Sequence, residues 1–314
     1  MKLNVGLIGF GKIGNKIFNE LNQSKKVRNI YILKKKKITQ NKLKVFTKEE
    51  NFFKKKIDFF FITTPISLHY HFLKKVIKKK KNFFIEKPII GNEKELNKIK
   101  NIRKLNNNIF VNYIDIYNPS FSIFKKEIKK IGKINKININ IGKYQKIYKC
   151  NNINYKNLDK LPFFDWLPHP ISSIIYIFKK KPAIKSIKNK FFKKGNFLFQ
   201  KLKIIFHVNK LKINLSFSNF EKGPKRKITI YGKKYKLIYL SHKSYENISV
   251  TEAKASVKKF DLKNKLIFSY ENKKKNIHYV VNKVLKKNKI KNNLKFNIEI
   301  MKTIFEIGKH ILHK

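Results

Sequence analysis

The 314 residues are enough for about two domains, and a 42% share of hydrophobic residues excludes a wholly disordered chain. The 76 Lys and Arg residues outnumber the 18 Asp and Glu residues and give a formal charge of +58, which taken alone favours a nucleic-acid or anionic-membrane partner. Only three of these basic residues are Arg (Arg28, Arg103 and Arg226), whereas proteins that read phosphates and bases favour Arg.

The composition of the whole chain offers a second explanation for the charge. Lys, Asn, Ile and Phe abound, whereas Ala occurs three times, Gly 11 times and Pro 8 times. Residues with A/T-rich codons are over-represented, and we interpret the charge as a product of nucleotide bias. We therefore expect no specific nucleic-acid partner, and no Lys is informative merely for being Lys.

Cysteine usage and hydropathy indicate the compartment. The single Cys150 excludes an internal disulfide and has no His or Cys partners at zinc-site spacing. The N-terminal apolar run is short and interrupted by glycine, unlike a signal peptide, and the longest uncharged runs fall short of the roughly 20 residues of a membrane helix. We expect a cytoplasmic protein without a metal or a membrane contact.

The first predicted strand, Leu3 to Ile8, runs into a glycine-rich turn and then into an amphipathic helix. The turn reads Gly9-Phe10-Gly11-Lys12-Ile13-Gly14, which is the G-x-G-x-x-G pattern of dinucleotide-binding folds. Gly9 allows the tight turn, Gly11 lets the backbone approach a pyrophosphate, and Gly14 permits close packing of helix on strand. The pattern predicts a dinucleotide site at the start of the chain.

The second predicted strand, Arg28 to Leu33, ends at Lys34. Dinucleotide folds often place an acidic residue there to bind the ribose of NAD, whereas a cation accepts the 2′-phosphate of NADP. Lys34 therefore favours NADP over NAD. The alternative that Lys34 is one more exposed lysine stays open.

The next elements complete a doubly wound parallel sheet that ends near residue 116. Strands are predicted at 57–63, 82–86 and 109–115, and helices at Ser67 to Lys79 and Asn92 to Lys104. Ser67 is predicted as an N-cap, and Thr47 to Glu50 as a capping box that opens a short helix. The polar residues after the strands should line the ligand crevice of such a sheet.

Beyond residue 116 the pattern indicates a second domain, 117–314. A helix at Phe121 to Ile131 precedes alternating strands at 133–144, 201–208, 210–217, 227–231 and 236–239, and two helices near 277–287 and 294–312 close the chain. The predicted fold is thus α/β plus α+β, a Rossmann domain followed by a domain on an open, mainly antiparallel sheet.

Four motifs follow one another along the chain: Gly9 to Gly14, Thr64-Pro65 with His69, Glu86-Lys87-Pro88, and Asp165 to His169. Their order and spacing resemble the glucose-fructose oxidoreductase and inositol dehydrogenase-like family (Gfo/Idh/MocA). The resemblance implies an NAD(P)-dependent oxidoreductase of sugars, cyclitols or sugar nucleotides that forms a homo-oligomer through the open sheet. It also implies cofactor-binding roles for Thr64, Pro65, His69, Glu86 and Lys87.

Two residues depart from the family pattern. Leu167 stands where the motif ending in His169 usually has Gly, and Ser172 stands where Asp often follows that His. These departures bear on the identity of the substrate more than on the chemistry.

The candidate catalytic residues are Lys87, Asp165 and His169. Oxidising an alcohol requires a group that takes the hydroxyl proton, and His169 titrates in the right range. Asp165, four residues earlier, would share a helix face with it and orient the ring or bind a substrate hydroxyl. Lys87 would polarise the reacting oxygen, and we expect all three residues in one cluster. The alternatives are a core or capping His169, an N-cap Asp165 and a solvated Lys87.

A second hypothesis comes from a different class of protein. A degenerate Rossmann fold with this charge would suit a non-catalytic, basic protein that binds nucleotides or nucleic acid, because fold alone does not establish activity. The joint presence of Lys87, Asp165 and His169 favours the enzyme.

Overall fold

The computed structural model describes residues 2–35, 43–100, 109–148, 155–221, 225–233, 236–240, 257–261, 265–270, 276–285 and 294–312. Cys150 lies outside these residues. Over the described ranges, no helix combines the length and the apolar character needed to span a membrane. The same ranges contain no group of three or more His, Cys, Asp or Glu side chains able to hold a metal ion.

The described strands are, in chain order, β1 (Leu3–Ile8), β2 (Val27–Leu33), β3 (Lys44–Phe46), β4 (Phe59–Ile62), β5 (Asn82–Ile85), β6 (Ile109–Val111), β7 (Ile134–Gly142), β8 (Ile147–Tyr148), β9 (Ala183–Lys194), β10 (Phe197–Val208), β11 (Leu211–Ser218), β12 (Lys225–Gly232), β13 (Lys236–Leu240), β14 (Val257–Asp261) and β15 (Lys265–Tyr270).

The described helices are α1 (Lys12–Asn22), α2 (Glu49–Phe53), α3 (His69–Lys78), α4 (Glu93–Lys100), α5 (Ile114–Tyr117), α6 (Pro119–Glu127), α7 (Pro162–Trp166), α8 (Pro168–Phe178), α9 (Asn276–Leu285) and α10 (Leu294–Leu312).

The chain divides into two compact units. The first comprises Met1–Asn112 and Lys275–Met301, and the second comprises Tyr113–Lys274 and Lys302–Lys314. In the first unit α9 contacts α1, so a C-terminal segment joins the N-terminal one. The sequence predicts functional domains of 1–116 and 117–314, and this division of roles stays a prediction.

The first unit is built on a parallel sheet with the strand order β3-β2-β1-β4-β5-β6 among its described residues. This is the order of a dinucleotide-binding Rossmann fold, and it confirms the predicted doubly wound sheet. Sheets of this kind are covered on both faces, which explains why the four residues of β4 are all apolar and buried. The strand order reverses between β1 and β4, where such folds bind ligands.

Several predicted boundaries in this unit are wrong for local reasons. Ser67 is not an N-cap, because it lies inside a 3₁₀ turn, Ile66–Leu68, that precedes α3. The capping box at Thr47 does not form, because Lys48 occupies the N-cap position of α2 without a side-chain bond. β6 ends at Val111 rather than at 115, since the chain turns into α5.

The helix predicted for Asn92 to Lys104 is described as α4, and residues 101–108 lie outside the described ranges. Asn92 precedes α4, and its Oδ1 accepts a hydrogen bond from the Glu95 backbone N–H at 3.0 Å. The amide thus caps the first turn of the helix.

In the described part of the second unit, one sheet runs in the order β14-β15-β13-β12-β7-β11-β10-β8, with β9 paired to β10. Most pairs are antiparallel, which confirms the predicted class, but β7–β11 and β13–β15 are parallel. Ile137, Ile139 and Ile141 of β7 are buried on one face, while Asn138 and Asn140 alternate with them on the other. The opposite face is therefore polar.

The helix predicted at Phe121 to Ile131 is α6, which begins earlier and ends at Glu127. Asn118 sets its start, because the Asn118 Oδ1 accepts from the Ser120 backbone N–H at 2.9 Å and Pro119 occupies the first turn. Helix α6 contacts β13, and α7 contacts β10. These helices cover part of the sheet.

Candidate cofactor and catalytic site

The carboxyl edge of the first sheet carries a row of residues in register. The backbone pairing extends one residue past the strand ends, through bonds from Gly9 N to Leu33 O, Thr63 N to Ile8 O, Glu86 N to Ile62 O and Asn112 N to Ile85 O, all of 2.8–3.0 Å. This edge, where the strand order reverses, therefore carries Gly9, the Thr63 hydroxyl, the Glu86 carboxylate and the Asn112 amide side by side.

The glycine turn fits tightly against the end of β4. Gly9 has φ +92°, and a Cβ there would lie 2.9 Å from the backbone of Thr63 and Thr64. The Thr63 Oγ1 donates to the Gly9 carbonyl at 2.8 Å. A side chain at residue 9 would force β1 and β4 apart, so the predicted role of Gly9 in the tight turn matches the geometry.

The other two glycines have contrasting surroundings. A Cβ on Gly14 would lie 2.4 Å from the Gly9 carbonyl oxygen, so α1 packs against the turn only because residue 14 lacks a side chain. A Cβ on Gly11 would meet no atom within 4 Å. Gly11 is also the N-cap of α1 and makes no side-chain cap bond.

These surroundings fit a dinucleotide. The open backbone at Gly11 lies at the start of an 11-residue helix, whose first N–H groups and dipole favour an anion such as a pyrophosphate. The first turn carries no acidic side chain that would repel it. Phe10, Lys12 and Ile13 complete the turn, and Lys12 is exposed.

Lys34 lies beside the glycine turn. Its backbone N–H bonds to the Phe46 carbonyl at 3.0 Å, and its Nζ lies 5.8 Å from the centre of the Phe10 ring. The neighbouring Lys35 is exposed, whereas Lys34 is half-buried. The position after β2 is the one expected for a residue that reads the ribose, and its contact with a cofactor stays a prediction.

Glu86 is held at the edge by Asn112. The Asn112 Nδ2 donates to the Glu86 Oε1 at 2.6 Å, and Asn112 is buried. This bond fixes the carboxylate next to Lys87 in the chain. Thr64 follows β4, the strand that neighbours β5 in the sheet. Its Oγ1 is buried with no hydrogen-bond partner among the described residues. A buried hydroxyl of this kind suits a bound ligand.

His69 ties two loops together. It is 1% exposed, with Nδ1 2.8 Å from the Pro88 carbonyl and Nε2 2.9 Å from the Thr64 carbonyl. Burial lowers the pKa of the ring, and the Lys87 charge lowers it further, whereas the two carbonyls raise it. Both ring nitrogens face backbone carbonyls, and the predicted cofactor-binding role of His69 stays a prediction. His71, by contrast, is exposed and pairs with Glu49.

In the second unit, Asp165 lies on α7 and His169 on α8, with Leu167 alone between the two helices, and the predicted shared face stays a prediction. α7 ends at Trp166 and α8 begins at Pro168, because Pro168 and Pro170 have no N–H to continue the helix. Asp165 is exposed, whereas His169 is 2% exposed. Lys87 belongs to the first unit, and the joint action of the three residues stays a prediction.

The two departures from the family pattern are both buried. Leu167 joins α7 to α8 in a helical conformation, and Leu167 and Ser172 are fully buried. The Ser172 Oγ donates to the His169 carbonyl at 2.7 Å. The Ser172 hydroxyl therefore donates its hydrogen bond within α8.

A buried amide network fixes the start of α7. Gln200 in β10 is fully buried, and its Oε1 accepts from the Phe163 backbone N–H at 3.1 Å while its Nε2 donates to the Asn189 Oδ1 at 2.8 Å. Asn219, also fully buried, accepts from the Gln200 backbone N–H at 2.7 Å. The network satisfies one of the free N–H groups of α7 and so positions the segment that bears Asp165.

Trp166, the only tryptophan of the chain, is held from two sides. Its Nε1 donates to the Gln145 Oε1 at 2.7 Å, and the Arg226 guanidinium lies 5.4 Å from its ring centre. Arg226 also lies 3.8 Å from the buried Asp115 carboxylate. One of the three arginines is thus used inside the second unit rather than on a polyanion surface.

Sequence reasoning missed Thr63, Asn112 and Gln200 as positioning residues. Thr63 and Asn112 directly follow buried strands, which is a signal that the sequence carries. Gln200 is the one polar residue in the run Phe197 to Gln200, and a lone amide in an apolar strand indicates a buried hydrogen bond.

Gly11 and Gly14 provide a matched test of the glycine cradle, which is the turn from Gly9 to Gly14 with the start of α1. Gly11→Ala should leave the free energy of unfolding nearly unchanged, because its Cβ meets open space, but should weaken NADH and NADPH binding by blocking the approach of the pyrophosphate. Gly14→Ala should destabilise the fold by about 1–3 kcal/mol through overpacking. Urea unfolding and fluorescence titration of the reduced cofactors measure both. Unchanged affinities in Gly11→Ala would show that no dinucleotide lies there.

Gln200→Leu tests the amide network. We expect the free energy of unfolding to fall by about 1–3 kcal/mol, because the Phe163 N–H and the Asn189 side chain lose their buried partner. Trp166 fluorescence follows the unfolding of this unit. Lys203→Leu, at an exposed position of the same strand, is the control and should change stability by less than about 0.5 kcal/mol. Equal stabilities of the two variants would contradict this role of Gln200.

Comparison with known proteins gives matches of two kinds. Residues 3–113 match the sequence profile of GFO_IDH_MocA, described as the oxidoreductase family with an NAD-binding Rossmann fold. No curated protein matches the chain.

Solved structures resemble the chain over nearly its whole length. A dehydrogenase from Clostridium difficile has a TM-score of 0.74 at 17% identity and covers 99% of this chain and 100% of its own. Myo-inositol 2-dehydrogenase from Lactobacillus plantarum has a TM-score of 0.72 at 13% identity, with coverages of 99% and 98%. UDP-N-acetylglucosamine 3-dehydrogenase from Acidithiobacillus ferrooxidans has a TM-score of 0.68 at 11% identity, with coverages of 98% and 97%.

At these identities the structural likeness establishes the fold of the chain, and the profile match adds the family of its N-terminal part. The matched residues include the glycine cradle and the strands of the Rossmann sheet. They also include the edge row, which is Gly9, Thr63, Glu86 and Asn112 at the carboxyl edge of that sheet. Residues 3–113 therefore match Gfo/Idh/MocA, the family of oxidoreductases with an NAD-binding Rossmann fold.

Proposed function

We propose that the protein is an NAD(P)-dependent oxidoreductase that moves a hydride between the cofactor and the hydroxyl or carbonyl carbon of a sugar, cyclitol or sugar-nucleotide-like substrate. The observation that carries this proposal is the glycine cradle, with tight packing at Gly9 and Gly14 and open backbone at Gly11. A turn serving only as structure would not need the open position at a helix N-terminus.

The cofactor is proposed to lie along the edge row. The turn from Gly9 to Gly14 would bind the pyrophosphate, and Lys34 would lie at the ribose. Thr64, Pro65, Glu86 and Lys87 follow β4 and β5 and would border the nicotinamide, which supplies a hydride acceptor or donor when bound. The half-buried Lys34 leans this proposal toward NADP.

The catalytic roles are assigned by chemistry. His169 would take the hydroxyl proton on a ring nitrogen during alcohol oxidation and return it during carbonyl reduction. The Lys87 ammonium would stabilise negative charge on the reacting oxygen, and Asp165 would bind a substrate hydroxyl. The buried His169 backbone is fixed by Ser172 and Ser173, which donate to its carbonyl at 2.7 and 3.1 Å.

The substrate class rests on likeness in fold. Similar structures are named for dehydrogenases of an inositol and of UDP-N-acetylglucosamine, both of which carry several hydroxyl groups. An exposed carboxylate at Asp165 suits a polyhydroxylated substrate, because a carboxylate accepts hydrogen bonds from hydroxyls. Carbohydrate metabolism is therefore the proposed setting, and the cytoplasmic location stays a prediction.

A homo-oligomer through the second sheet is also part of the proposal. One face of that sheet carries Asn138, Asn140, Asn214 and Ser216 in neighbouring register, with the Asn214 Nδ2 bonded to the Asn138 Oδ1 at 2.9 Å. A polar face of this kind can pair with a second copy. Lys203 and Lys227 flank this face, because they pair with Ser216 and Asn140 respectively.

Lys34→Asp tests the cofactor preference. We expect wild-type protein to bind NADPH at least as tightly as NADH, and the substitution to weaken NADPH binding by about tenfold through loss of a charge-assisted bond to the 2′-phosphate. Fluorescence titration of each reduced cofactor measures the ratio. Lys35→Asp, at the exposed neighbour, should leave the ratio nearly unchanged. Equal ratios in all three proteins would place Lys34 outside the ribose site.

His169→Ala and Lys87→Met test the catalytic roles. Each should lower kcat by about 10²- to 10⁴-fold, and the double variant should lose much less than the product of the two effects, because both residues act on one step. Myo-inositol and UDP-N-acetylglucosamine head the substrate screen, with reduced cofactor followed by absorbance. Independent, multiplicative losses would contradict action in one site, as would unchanged turnover in His169→Ala.

A further inference from the structure

The strongest unexplained arrangement outside the glycine cradle is the ring of His69. It is buried between the loop after β4 and the segment after β5, with a carbonyl oxygen within 2.9 Å of each nitrogen. Both carbonyls belong to the motifs that the proposed function places at the cofactor. One side chain therefore spans the two proposed cofactor loops.

The number of N–H groups on the ring decides how many carbonyls it can bond, so the arrangement has two states. Carbonyl oxygens only accept hydrogen bonds, and a neutral imidazole has one N–H. The protonated ring can bond both carbonyls, whereas the neutral ring bonds one and turns a lone pair toward the other. The number of loops that His69 holds thus depends on its protonation.

The neutral ring should keep the bond to Pro88. The Pro88 carbonyl is buried with its residue and has no other partner among the described residues when His69 releases it. Thr64 is partly exposed, so its carbonyl can turn to water. The bond from Nδ1 to Pro88 is also the shorter of the two, 2.8 against 2.9 Å. The Nδ1–H tautomer is therefore the neutral state that fits the site.

We propose that His69 is a positioning residue, whose Nδ1–H bond to the Pro88 carbonyl fixes Lys87 for the reaction and whose second bond, to Thr64, forms only when the ring is protonated. Pro88 follows Lys87 directly, so fixing its carbonyl restrains the Lys87 backbone. The effect of His69 on turnover rests on the proposed function, whereas the two hydrogen bonds of its ring do not depend on it.

Few charged groups face the ring. The loop from Thr64 to Leu68 carries no titratable side chain. The segment after β5 contributes Glu86, which is bonded to Asn112, and Lys87, whose charge opposes protonation of His69. On α3, His71 pairs with Glu49. Protonation of His69 therefore occurs below its ordinary pKa of 6.5, chiefly because the ring is buried.

Two conservative variants separate the two bonds. The amide nitrogen of Asn lies where Nδ1 lies, so His69→Asn keeps a donor for Pro88, and the longer Gln places its donor where Nε2 lies, so His69→Gln keeps a donor for Thr64. Near pH 8 we expect His69→Asn to retain wild-type turnover within about threefold, and His69→Gln to lose about 10²-fold, as for a small displacement of a catalytic group. If His69 served folding alone, the turnover of His69→Asn would not exceed that of His69→Gln in this way.

The pH profile tests the second bond. NADH is the probe, because it lacks the 2′-phosphate that titrates in the same range. As the pH falls below 6.5, the Kd of wild-type protein for NADH should decrease by about two- to tenfold, the effect of one hydrogen bond that holds the Thr64 loop. His69→Asn cannot protonate and should not show this step.

Nitrogen NMR of histidine-labelled protein supplies a readout that needs no cofactor. The His69 signal, identified by its loss in His69→Asn, should show a protonated Nδ1 and a bare Nε2 at pH 8, and two protonated nitrogens at low pH. The opposite tautomer, or equal turnover of His69→Asn and His69→Gln, would overturn the inference. Wild-type protein that binds neither NADH nor NADPH would instead contradict the proposed function, and the tautomer would still decide the inference.

Discussion

The site depends on the contact between the glycine turn and the end of β4. The Thr63 hydroxyl bonds to the Gly9 carbonyl, and that same oxygen lies where a Gly14 Cβ would intrude. α1 can thus begin directly above the sheet, with its N-terminus open at Gly11. Every other feature proposed for the cofactor, from Lys34 to Glu86, takes its place from the register of the strands that this contact joins.

Local rules predicted the parts of this site whose geometry is local. The glycine spacing specifies a backbone shape, and buried parallel strands read as apolar runs, so Gly9, Gly11, Gly14 and β4 were predictable. Asn112 bonds to a carboxylate 26 residues away, and its partner follows from strand order rather than from pattern. The two hydrogen bonds of His69 could not be predicted either, because every residue has a backbone carbonyl and the sequence does not show which ones the ring contacts.

The charge of +58 and the site are separate features of the molecule. Lysines lie over aromatic rings throughout both units, as Lys74 does over Tyr70 and Lys125 over Tyr176, and Lys75 pairs with Glu49. In the second unit, burial and then the charge of Lys179, which also lies over Tyr176, lower the pKa of Lys125 to about 8. The charge is dispersed over the surface, whereas the residues that build the cradle are mostly uncharged.

Hydrogen exchange measured by mass spectrometry, with and without NADPH, tests the central claim most directly. The account predicts slower exchange in the peptides that carry Gly9 to Gly14, Thr63 to Pro65 and Glu86 to Pro88, because these segments form one edge of the sheet. The polar face of the second sheet should be unaffected by the cofactor. Protection confined to that lysine-flanked face, or no protection at the glycine turn, would contradict a dinucleotide site at the cradle.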